Sequence, residues 1–255
     1  MLKSLKQQES TDYKTYRMSI KEYALSIIQA FGLVAVFAYF FYRSYYAIIF
    51  MSPFVPFFVF RKKKQLGEKR RRNLMLQFKE MLVSVNGSVQ AGYSLENAFC
   101  GAFEEMKGFY GEKSDIVKEL AIIKRGLNNN AGLTGLIRDL ANRSGIKDIS
   151  DFAGVLYIGK QTGGNINRIM ESYINVIDEK VAVMQEIDTM VSAKRFEQKI
   201  MNMVPFLIIF YIELTSPGFF ESLYHNLAGV VIMTVALAVY VFSVYMSEKI
   251  VDIKV

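Results

Sequence analysis

Two short stretches of this chain have the residue types of a ligand-binding turn. "QAGYSLENAF" (residues 90–99) and "QTGGNINRIM" (161–170) share the order Gln-x-Gly-x-polar-apolar. Glycine turns that open a helix can cradle phosphate, because free backbone N–H groups and the helix dipole meet there. Neither copy has the GxxxxGK[ST] spacing of a phosphate loop, and neither follows a strand-like segment. Gly92 suits the left-handed residue just past a helix end, Ser94 the next N-cap, Leu95 the first helical residue and Glu96 the first turn. Gly163, with Gly164 beside it, and Asn165 suit the same parts in the second copy. The pattern predicts two helical hairpins whose glycines are structural.

The remaining reactive side chains are few. A single histidine, His225, removes most imidazole catalysis and zinc chemistry, and a single cysteine, Cys100, allows no internal disulfide and no cysteine metal cluster. Cys100 falls among apolar neighbours and reads as a packed small hydrophobe. Glu213 is the one acid inside an apolar stretch, which raises proton or ion coupling as a rival function. It sits near a predicted outer end, where water is close. No carboxylate pair, nucleophile–base set or metal spacing emerges, so the chain reads as a non-enzyme without cofactor or metal.

These residues are positioned by an uneven chain. Its 255 residues are 52% apolar and 22% charged, too apolar for an ordinary soluble domain and too charged to lie wholly in a bilayer. The net charge of +7 is local: "RKKKQLGEKRRR" (61–72) holds eight Lys/Arg and one Glu, whereas 73–199 is nearly balanced. Arg61, Lys62, Lys63, Lys64, Lys69, Arg70, Arg71 and Arg72 therefore read as a topology signal with a lipid or partner contact, not as a nucleic-acid face.

Apolar stretches at 24–42, 45–60, 200–215 and 227–246 predict four transmembrane helices. The expected order is a cytoplasmic tail (1–23), two spans (24–60), the basic juxtamembrane segment (61–72), a cytoplasmic helical domain (73–199), two spans (200–246) and a cytoplasmic tail (247–255). Lys and Arg flank the large domain at both ends, while 43–44 and 216–226 hold only Arg43. The positive-inside rule then puts both termini and the domain inside. Within 73–199, apolar residues at helical spacing (Leu74, Phe78, Met81, Leu82, Val85, then Ala98, Phe99, Ala102, Met106) predict helices throughout. The last begins near Ile166 and is long enough to run into the third apolar stretch. The fold class is all-α, a bundle of six helices in two hairpin halves inserted between two pairs of spanning helices.

"AGYSLENAF", "DLANRSGIKDISDFAGVLYIGKQTGGNINRIMESY" and "SAKRFEQKIMNMVPFL", in that order and followed by a closing apolar pair, resemble the type II secretion system F domain. One such domain between two pairs of spans is similar to the TadB/TadC-type proteins of the Tad (Flp) pilus. The likeness covers roughly 75–255. It implies an inner-membrane, multi-pass platform that couples a cytoplasmic hexameric ATPase to pilin extraction and fibre assembly. The partners it implies are that ATPase, pilin subunits, membrane lipids, and itself or a homologous platform protein. Gly92, Ser94, Leu95, Gly163 and Gly164 match its turn positions. A small-molecule or ion transporter is the alternative.

Overall fold

The computed structural model describes residues 11–43, 45–162, 165–220, 224 and 226–251, and every regular element among them is helical. They are α1 (Ile20–Tyr42), α2 (Tyr45–Met51), α3 (Phe54–Gln90), α4 (Leu95–Tyr110), α5 (Asp115–Asn128), α6 (Leu133–Ser144), α7 (Lys147–Thr162), α8 (Ile166–Thr215) and α9 (Leu227–Val251). The chain divides into two compact units, Met1–Arg17 with Lys63–Ala182 and Met18–Lys62 with Val183–Val255.

The first unit is built on the apolar stripes. Leu74, Phe78, Met81, Leu82 and Val85 of α3 are buried, as are Ala98, Phe99, Ala102 and Met106 of α4. Ile116, Leu120 and Ile123 of α5, Ile137 and Leu140 of α6, Phe152 and Leu156 of α7 and Met170 and Ile177 of α8 complete one core. Each large side chain withdrawn from water in this way stabilises the fold by about 1.5–3 kcal/mol before entropy is counted. Phe152 is the hub, edge-on to Phe78 with centroids 5.6 Å apart and tilted against Tyr173 at 5.2 Å. Polar ties close the perimeter: Lys79 pairs with Asp178 at 2.6 Å and Lys180 with Asp148 at 2.7 Å. Gly145, at φ +62°, ends α6 in the left-handed conformation that favours glycine.

In the second unit two helices are long and apolar enough to cross a membrane, Ile20–Tyr42 and Ala228–Val251. Their apolar side chains mostly face outward, with Ile28 67% and Val239 63% exposed. A core helix of a water-soluble protein would bury them. The buried side of α1 is a ladder of mainly small residues (Ser26, Ala30, Val34, Ala38) at four-residue spacing, which permits close helix approach. Phe37 and Phe41 pack with Phe206 and Tyr240 in one aromatic cluster.

The stretch 45–60 is not one helix. Pro53 disfavours helical geometry at Ser52, so α2 closes and α3 restarts at Phe54, with Pro56 tolerated in its first turn. The stretch 200–215 is the end of α8, which passes Pro205 unbroken. Proline there removes the donor to the Met201 carbonyl, and one residue on, the Asn202 carbonyl accepts from the Tyr240 hydroxyl at 2.8 Å.

Candidate functional site

The first glycine turn has the expected geometry. Gly92 has φ +91°, and the Ser94 hydroxyl accepts from the Asn97 N–H at 3.3 Å to cap α4. Leu95 opens that helix and packs against the core. Of the second copy, Asn165 accepts from the Arg168 N–H at 3.2 Å, while Gly163 and Gly164 lie outside the described residues. The two turn regions meet in space: Lys160, in the last turn of α7, pairs with Glu96, in the first turn of α4, at 2.6 Å. That ammonium holds the Glu96 carboxyl below its ordinary range.

The basic segment separates into two groups. Arg70 grips Asp115 with two bonds of 2.7 and 2.6 Å, and this pairing raises its pKa. Arg61 pairs with Glu248 at 2.5 Å, and Arg72 is also engaged within the chain. Lys62, Lys63, Lys64, Lys69 and Arg71 have no acidic partner among the described residues. At about 100° per residue, positions 62 and 69 fall on one side of α3 and 64 and 71 on the other, so these cations ring the helix.

A polar cluster that no sequence pattern announces lies beside Arg70. Glu119 of α5 is 1% exposed and is gripped by Arg143 of α6 through two bonds of 2.8 and 2.5 Å. The Tyr13 hydroxyl donates to the same carboxylate at 2.8 Å, the Tyr13 N–H donates to the Arg143 carbonyl at 3.0 Å, and Arg143 also reaches the Thr11 carbonyl. Burial first, and the Glu119 charge second, push the Tyr13 hydroxyl well above its ordinary pKa, so it remains a neutral donor. Burial alone would lower the Arg143 pKa, but its bonds to Glu119 and Asp139 outweigh that and raise it. Arg70 stacks over the Tyr13 ring at 4.9 Å. Thr11–Arg17 is thus a strap fastened to α3, α5 and α6. The one legible signal was Glu119 itself, a charge set on the apolar stripe Ile116–Leu120–Ile123.

An open cavity of about 720 Å³ lies between the last turns of α3 and the end of α4. Val83, Gly87, Ala91, Tyr93, Phe109 and Tyr110 are among its lining residues. Its acids are Glu80 and Glu105, and the Ser84 hydroxyl donates to Glu105 across the two walls. Burial, then Glu80, raises the Tyr110 pKa.

In the second unit Glu213 is paired with Arg43. Cys100 is half-buried, and His225 lies outside the described residues. Among the described residues no three His, Cys, Asp or Glu side chains converge into a metal-holding group. Comparison with protein-family models, with curated proteins and with solved structures yields no match.

Proposed function

We propose that this protein is a non-enzymatic inner-membrane platform of a Tad or type IV-like pilus, or of a type II secretion assembly machine. It couples a cytoplasmic hexameric ATPase to pilin extraction and fibre assembly. In this scheme the chain crosses the membrane four times and 73–199 is a cytoplasmic six-helix bundle carrying the ATPase contact. The free cations of 62–71 sit at the lipid headgroups, and a second copy or a homologue completes the platform.

The observation that carries the proposal is the docked strap. Thr11 and Tyr13 are bonded to α5 and α6, which supports a reading in which residues 17 and 63 lie on one side of the membrane. An even number of crossings must then separate them. If α1 crosses, the apolar stretch 45–60 must cross back, although Pro53 divides it. Two ion pairs in the other unit agree with this count. Arg43 meets Glu213, and Arg61 meets Glu248, so 43 and 213 share one face and 61 and 248 share one face. A helical unit hung between paired apolar segments, with its most buried charges spent on one another, suits a scaffold that acts through partners.

The Arg43–Glu213 pair also accounts for Glu213 without ion coupling. The test is co-purification from a native host in mild detergent, with the full chain as bait. Recovery of a hexameric ATPase or of single-span pilin-like subunits is the expected result. A partner-free protein that moves an ion in liposomes, with flux lost in Glu213→Gln, overturns the platform in favour of a transporter.

A further inference from the structure

We infer that the cavity between α3 and α4 is a docking groove for a basic amphipathic helix of a partner protein. The inference goes beyond the platform proposal, because it needs no particular machine. Its ground is an anomaly of exposure. Phe109 is 73% exposed and Tyr93 63%, and with the exposed Val83 and Tyr110 they line one cavity, whereas Ile158 and Val176, also exposed on this unit, do not line it. Aromatic side chains grouped around a concavity, rather than scattered, mark a binding surface, since they supply large contact area at little entropic cost.

The shape selects the occupant. The lining residues 80, 83, 84, 87 and 88 of α3 share one helix face, and Ala91, just past the helix end and still bonded to the Gly87 carbonyl, continues it. At about 1.5 Å per residue that face is roughly 16 Å long, the length of a three-turn ligand helix with anchors at i, i+3 or i+4 and i+7. Gly87 is exposed in the last turn of α3 at ordinary helical geometry, where glycine is disfavoured relative to alanine. A Cβ added there would meet nothing within 4 Å, so packing inside this chain does not demand the glycine. Its effect is to leave that space in the groove open. The Ser84–Glu105 bond joins the walls before any ligand arrives.

Charge selects the sign. The lining holds Glu80 and Glu105 and neither lysine nor arginine. Glu80 has Lys79 at 3.5 Å, but that ammonium is committed at 2.6 Å to Asp178. A groove lined by aromatic and small residues together with two carboxylates and no cation favours a ligand that combines apolar side chains with Lys or Arg, and disfavours an acidic one. The basic segment of a second copy does not qualify, because 61–72 is ringed by charge and contains one large apolar residue, Leu66.

The probe is a fluorescein-labelled helix of about 12 residues, three turns, with leucines at i, i+3, i+4 and i+7 and lysines elsewhere. Anisotropy is read with the full chain in phosphatidylcholine nanodiscs, against empty nanodiscs, a scrambled peptide and a glutamate-for-lysine peptide. The wild type is expected to bind the ordered basic peptide above both controls. Gly87→Leu should fill the trough and weaken binding by about tenfold or more, and Glu80→Lys with Glu105→Lys should weaken it by several-fold, more so at low salt. Gly101→Leu, equally open but outside the groove, should change nothing. Equal affinity in wild type and Gly87→Leu, binding no stronger than to empty nanodiscs, or equal binding of the scrambled peptide each overturn the groove. So does a change of oligomeric state in Gly87→Leu, which would assign the face to a second copy. None of these results bears on recovery of an ATPase by the full-length bait.

Discussion

Glu119 is the most consequential single residue outside the apolar core. A carboxylate that is 1% exposed survives only because Arg143 and Tyr13 replace its water. Breaking one side of such a pair leaves an uncompensated buried charge and costs about 3–5 kcal/mol. Glu119→Leu and Arg143→Leu should therefore each lower the unfolding temperature sharply, followed by circular dichroism of the full chain in detergent. The double substitution should cost less than the sum of the two, because no charge is then stranded. Additive losses would mean that the pair is not coupled. This cluster also marks where sequence reading stops. Tyr13 and Glu119 are 106 positions apart, and no periodicity links a polar tail to a distant helix. Arg70 shows the same limit: as one basic residue among eight it reads as a headgroup contact, yet its guanidinium is spent on Asp115 and the Tyr13 ring.

The elements were more legible than their partners. Helical spacing placed Phe78, Phe99 and Met106 in the core because a 3.6-residue period and a one-sided solvent leave one solution. Ser94 and Gly92 were legible for a local reason, since caps and left-handed residues depend on chemistry within four positions. The groove was not legible, because its lining joins residues of α3 to residues of α4 about 20 positions on, and no periodicity spans the turn between them. That turn gives a direct test. No atom lies within 4 Å of a Cβ built on Gly92, so the penalty in Gly92→Ala is purely backbone strain at φ +91°. It should cost about 1–2 kcal/mol, and Ser94→Ala about 1 kcal/mol through the lost cap, both read from unfolding midpoints. A Gly92→Ala protein as stable as wild type would show that the turn can re-form without a left-handed residue.

Across the whole molecule the strap and the two ion pairs become statements about topology. Residues joined by a short bond share a compartment, so each long-range contact fixes the parity of crossings between its ends. Length and composition single out α1 and α9 as able to span. With the strap fastened to α5 and α6, a crossing by α1 alone would tear Thr11–Arg17 from the unit that holds it. The apolar stretch 45–60 and the end of α8 are thus predicted to cross as well. In a Cys100→Ser background, a cysteine introduced by Ser216→Cys should react with a membrane-impermeant maleimide in intact cells. One introduced by Lys113→Cys should react only after permeabilisation. Both positions are exposed, so accessibility within the fold does not confound the result. Labelling of both in intact cells, or of neither, would remove the four-crossing arrangement. The converse pattern, Lys113→Cys outside and Ser216→Cys inside, would keep the crossings and invert the protein. It would then put the aromatic groove beyond the reach of any cytoplasmic motor.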